Sequence, residues 1–70
     1  MRIQVNGSWQ EVEEGLTIQD FLDSWLKRRS YDNTLVSVEL NFLVRPRQSW
    51  PGIRLADGDI VEIVRFVGGG

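Results

Sequence analysis

Apolar and polar positions alternate at the start of the chain, with Met1, Ile3 and Val5 on one face and Arg2 and Gln4 on the other, the period of a half-buried strand. Asn6-Gly7 follows. A type I′ turn requires positive φ at both central residues, so this pair predicts a two-residue hairpin into a second strand running from Ser8 to about Glu13. Directly opposed residues share a face, so that turn sets Val5 against Ser8, Ile3 against Gln10 and Met1 against Val12. Val12 is then a core residue and Trp9 lies outside.

The period next changes to that of a helix. Thr17 is placed to cap it, with Asp20 at N3 as an acidic variant of the capping box and Leu16 and Phe21 at the staple positions. Ile18, Phe21, Leu22, Trp25 and Leu26 recur at i, i+3, i+4, i+7 and i+8, which gives one apolar stripe. Lys27, Arg28 and Arg29 suit the negative C-terminal end, and Ser30-Tyr31-Asp32-Asn33 reads as the exit loop.

From Thr34 the two-residue period returns, with Val36, Val38 and Leu40 against Ser37 and Glu39, and Asn41 turns the strand. Phe42-Leu43-Val44 is a short strand that must end before Pro46, which donates nothing to a ladder and restricts Arg45 to extended geometry. Trp50-Pro51-Gly52 reads as a turn, Ile53 and Leu55 as anchors of the next loop, and Asp57-Gly58-Asp59 as a tight turn into a last strand from Ile60 to about Phe66. Too few residues separate these strands for repeated βαβ crossovers. The predicted class is therefore α+β: a mixed four- to five-stranded sheet with one main helix across it. If the first and last strands pair in parallel, the helix is the crossover and covers the face carrying Ile3, Val5, Val36, Val38, Val61 and Ile63. That layout is a β-grasp, expected over residues 1–66 with 67–70 as a flexible Gly-rich tail.

Composition narrows what such a domain can do. At 70 residues it is one small domain whose core leaves little room for an enclosed catalytic pocket, because a chain of this size buries only about 60% of its unfolded surface. Eight Lys/Arg against ten Asp/Glu give a net charge of −2 and no basic stripe, which argues against nucleic acid. Without cysteine or histidine there is no disulfide, zinc-finger chemistry, imidazole acid–base pair or Cys-His nucleophile, so no catalytic side chain and no metal site is expected. No apolar h-region opens the chain and no run approaches the roughly 18 apolar residues of a membrane span. The expectation is a soluble cytoplasmic protein with no bound cofactor.

Against this inert inventory, Gly68-Gly69-Gly70 stand out. They contribute no side chain to a core, and folding alone does not explain them. A frayed end is the plain reading. The functional reading is a slender tail that enters a narrow channel in a partner enzyme, its terminal carboxylate sterically open. Other candidates have simpler explanations. Asn6-Gly7-Ser8 matches a glycosylation sequon, but hairpin chemistry accounts for it, and Asp57 and Asp59 are sufficiently explained as turn residues. Trp25 belongs to the helical stripe, Trp50 closes a loop, and exposed Trp9 is a weak interface hint. Arg45, Arg47, Arg54 and Arg65 suit acidic partner surface, although scattered arginines are usually just solvated. Recognition of a glycine tail must extend onto the folded body, which points to Glu62, Val64 and Phe66 on the outward side of the last strand and to Arg65 where the chain leaves the sheet.

Taken together, Asn6, Gly15 with Thr17, Asn41, Pro46 with Arg47, Trp50, Asp57 to Asp59 and Gly69-Gly70 resemble, in order and spacing, the ThiS family of sulfur carriers in thiamine biosynthesis. Phe42-Leu43 after Asn41, Arg45 and Trp9 depart from the family pattern. The resemblance implies a ubiquitin-like β-grasp whose reactive group is the Gly70 carboxylate, with Gly68 and Gly69 recognised as the tail. It further implies that an E1-like enzyme of the ThiF type uses MgATP to form the Gly70 acyl-adenylate. A persulfide donor then displaces AMP to leave a thiocarboxylate, and thiazole synthase of the ThiG type takes the sulfur. The protein would be a cosubstrate and not an enzyme. The same tail chemistry leaves open a carrier for molybdopterin or cysteine synthesis or a ubiquitin-like modifier; a plain interaction module with an inert tail is the alternative from another class.

Overall fold

The computed structural model describes residues 1–30 and 36–66. Strands β1 (Arg2–Val5) and β2 (Ser8–Glu11) form the first hairpin, followed by helix α1 (Ile18–Arg28) and strands β3 (Val36–Leu40) and β4 (Leu43–Val44). A 3-10 helix (Arg47–Gly52) then leads to β5 (Ile60–Arg65). The five strands make one sheet in the order β2-β1-β5-β3-β4. β1 and β5 run parallel at its centre, and the other pairs are antiparallel.

Local chemistry accounts for each element. Asn6 and Gly7 adopt φ of 49° and 87°, as a type I′ turn requires, and the resulting register sets Val5 against Ser8 and Ile3 against Gln10. The strand expected to reach Glu13 stops at Glu11. The hairpin closes where Met1 and Val12 exchange two backbone bonds of 2.8 Å, and Val12, expected in the core, is half-buried against it. At α1 the capping box forms as predicted: the Asp20 amide donates to Thr17 Oγ1 at 3.1 Å and the Thr17 amide donates to Asp20 Oδ2 at 3.4 Å. The exit loop predicted beyond Ser30 lies outside the described residues.

The apolar stripe of α1, Ile18, Phe21, Leu22, Trp25 and Leu26, packs on the sheet face formed by Ile3, Val5, Val38, Leu40, Val61 and Ile63. Val36, expected on that face, is half-buried at its margin. Trp50 and Leu55 complete the core. Where a simple turn was expected at Trp50-Pro51-Gly52, the 3-10 helix folds the Trp50 ring inward, and its Nε1 donates to the Arg45 carbonyl at 2.9 Å. Among the described residues no polar or charged side chain is buried. Among the described residues no element covers the sheet face away from α1.

Candidate functional site

β5 is held in register by asparagines from the two hairpins. Asn6 Oδ1 accepts from the Ile63 amide at 2.7 Å and its Nδ2 donates to the Ile63 carbonyl at 3.3 Å. Asn41 Oδ1 accepts from the Ile60 amide at 2.9 Å, and its Nδ2 donates to Asp59 Oδ1 at 3.1 Å. Both asparagines have positive φ, which their short side chains tolerate. The Asp-Gly-Asp turn is tied down as well: Asp57 Oδ1 accepts from the Arg2 amide at 2.8 Å and Asp59 Oδ2 from the Ala56 amide at 2.7 Å. Both carboxylates are thus engaged in the turn, and Asn6 anchors a strand.

The pairing register places the candidate interface. Glu62 faces Glu39 and Val64 faces Ser37 across the β3–β5 ladder, on the face away from α1. Val64 is 49% exposed and Phe66, just past the strand, 57%. Arg65 differs: it pairs with Val36 and shares the parity of Ile63, so it belongs to the helix side of the sheet. The expected cluster therefore divides, with Glu62 and Val64 on the open face. Gly68, Gly69 and Gly70 lie outside the described residues. Trp9 is also on the open face, opposite Gln4, with the Arg2 guanidinium 5.1 Å from its ring centroid.

Two features of this surface go beyond the sequence reading, which had Asn41 turning the strand and a short strand over Phe42-Leu43-Val44. The β3–β4 connection is a second two-residue turn with φ of 52° at Asn41 and 69° at Phe42, a position where glycine is usual. It displays Phe42, Leu43 and Val44, all more than half exposed. The turn expected at Asn41 is present, but Phe42, expected in the strand, is its second residue, which the sequence hid because no Gly stands there. The second is the Glu39–Glu62 pairing, which no local pattern reveals. Of the four arginines singled out from the sequence, Arg54 has a structural role: its Nη1 donates to the Gly15 carbonyl at 2.7 Å and ties a loop to the start of α1.

Elsewhere a shallow groove of about 260 Å³ lies between α1 and the end of β2, with Val12, Leu16 and Phe21 along it and Glu11, Asp20 and Arg28 at its rim. Among the described residues no group of three or more His, Cys, Asp or Glu could hold a metal ion, and no helix is long and apolar enough to cross a membrane.

A mixed five-stranded sheet with a parallel central pair and one crossing helix is a ubiquitin-like β-grasp, the class in which the central strand runs out directly into the C-terminal segment. Residues 3–70 match the ThiS family model, and the chain belongs to that family. It is 38% identical to the sulfur carrier protein ThiS of Bacillus subtilis, covering 97% of this chain and 98% of that protein. It is also 31% identical over its whole length to part of a thiazole synthase from Paramagnetospirillum magneticum, of which it spans only 20%. Among solved structures, the crystal structure of ThiS from Geobacter metallireducens superposes with a TM-score of 0.83 at 33% identity, each chain covered completely.

Proposed function

We propose that the protein carries sulfur for thiamine biosynthesis on its C-terminal glycine and acts as a cosubstrate of the enzymes that load and unload it. The observation that carries this reading is the match, at nearly full length on both sides, to a sulfur carrier protein ThiS. The sequence adds Gly68-Gly69-Gly70, separated by Phe66-Val67 from the strand that ends at Arg65. A carboxylate resists nucleophilic attack because its oxygen leaves poorly. An E1-like enzyme of the ThiF type therefore first joins the Gly70 carboxylate to AMP, using MgATP and releasing pyrophosphate. The terminal sulfur of a persulfide displaces AMP, and a thiol reduces the resulting S–S bond to free the thiocarboxylate. The thiazole synthase relative has a segment like this chain within its own polypeptide, which supports a thiazole synthase as the acceptor.

Gly68 and Gly69 serve as the tail that enters the partner's active site, since residues without Cβ let the backbone approach catalytic groups closely. Glu62, Val64, Arg65 and Phe66 form the adjoining contact surface. Incubation with the adenylating enzyme, ATP, a persulfide donor and a thiol should raise the intact mass by the difference between a sulfur and an oxygen atom, and the gain should map to Gly70. A chain whose mass does not change under conditions that load the Bacillus subtilis carrier would overturn the proposal.

A further inference from the structure

β5 outlasts its partner on one side. The β1–β5 pairing ends at Val5 against Val61, whereas β3 accompanies β5 as far as Arg65. The Asn6 amide still donates to the Val61 carbonyl at 2.9 Å, the bond that a continuing parallel strand would make. In such a ladder the Ile63 amide would next donate to the Asn6 carbonyl. At a φ of 49° the Asn6 backbone enters the hairpin turn instead, and its side chain takes over. Oδ1 accepts from the Ile63 amide at 2.7 Å, and Nδ2 donates to the Ile63 carbonyl at 3.3 Å. One side-chain amide thus adds a rung to the β1 side of the ladder after β1 itself has left the sheet. Turn chemistry accounts for the conformation of Asn6, which glycine would adopt at no steric cost. It does not account for two bonds to a residue 57 positions away.

We propose that Asn6 is a positioning residue for adenylation: by holding Ile63 it fixes the end of β5, and with it the direction in which the chain leaves the sheet toward Gly70. The inference rests on the carrier reading above. Gly70 stands seven residues beyond Ile63, a reach of about 25 Å at most. Every residue freed at the root adds orientations in which the carboxylate misses the α-phosphorus of the bound ATP, so the productive geometry becomes rarer. The contact residues on either side of Ile63 do not depend on this tie, because Glu62 and Val64 keep their β3 partners Glu39 and Ser37. Loss of the tie should therefore act after docking, on kcat and not on KM. Asn41 supplies a matched comparison at the other end of the same strand. It too has positive φ, 52°, and its Oδ1 accepts from the Ile60 amide at 2.9 Å.

The test compares the full chain with Asn6→Gly, Asn6→Asp and Asn41→Gly in ATP–pyrophosphate exchange with the adenylating enzyme, well below Tm, alongside amide hydrogen exchange of each free chain. Asn6→Gly keeps the turn, so the Ile63 amide should exchange faster while the amides of α1 stay protected. Its kcat should fall about tenfold with KM near that of wild type. Asn6→Asp restores the acceptor of the 2.7 Å bond and should recover part of both losses. Asn41→Gly should expose the Ile60 amide instead and leave kcat and KM unchanged. With the wild-type chain adenylated normally, a wild-type kcat in Asn6→Gly would overturn the positioning role alone, as would an Ile63 amide that stays protected in that variant. An equal fall in kcat for Asn41→Gly would overturn it too, by showing that any loosening of β5 suffices. A wild-type chain that is never adenylated would overturn the carrier reading and the positioning role with it.

Discussion

Asn6 and Asn41 each combine a backbone conformation that few residues tolerate with a side-chain amide that holds β5. Replacing Asn6 by Ala removes both bonds to Ile63, leaves its backbone amide groups in need of other partners and adds strain at positive φ. Urea denaturation should show a loss of about 1–3 kcal/mol. Asn6→Gly keeps the conformation and removes only the bonds, so it should be the milder variant; equal losses would assign the whole effect to the bonds. Phe42 makes the opposite case. Its φ of 69° is costly for a bulky side chain, and 74% exposure leaves the ring few contacts to offset that. Phe42→Gly should therefore stabilise the chain by about 1 kcal/mol, the cost of the left-handed region for a residue with a Cβ. A fall in Tm would show that the ring packs. Of these residues the sequence made the Asn6-Gly7 turn plain, because it depends on two neighbours. The bonds from Asn6 to Ile63 were not legible, since the partner is remote in the chain.

Helix α1 is the element whose capping box, buried stripe and basic last turn were all readable, since every determinant lies within one turn of its neighbour. Leu22 is 2% exposed at the centre of the stripe, so Leu22→Ala should cost about 2–5 kcal/mol in denaturant melts. Thr17→Ala should cost about 1 kcal/mol through loss of the capping box. Wild-type stability for Leu22→Ala would mean that the helix does not pack by this stripe. The edge strands were less legible. β2 is shorter than its residues suggest because a strand extends only as far as a partner does, and Met1 pairs with Val12 at the end of that ladder. The 3-10 helix at Arg47–Gly52 was read as a turn because Pro51 and Gly52 dominate the local signal; burial of Trp50, 3% exposed, draws the segment inward.

Among the described residues the buried core runs from Ile3 to Ile63. Deleting Gly69-Gly70 should leave Tm nearly unchanged and abolish adenylation; retained adenylation would remove Gly70 from the chemistry. Phe66→Ala should weaken binding to the adenylating enzyme by about 1 kcal/mol or more with little change in stability, and the reverse pattern would assign the ring to the core. The parallel meeting of β1 and β5 was conditional in the sequence, because alternation tells which face a strand buries but not which strand lies beside it. Periods, caps and turn residues are short-range properties, so the first hairpin, the helix, the open side of each strand and the glycine-rich end follow from the order of residues. Strand order and cross-strand register arise when all apolar faces are buried against one helix at once. That collective packing brings Asn6 to Ile63, separates Arg65 from Glu62, and sets Glu39 beside Glu62 on a face that no described element covers.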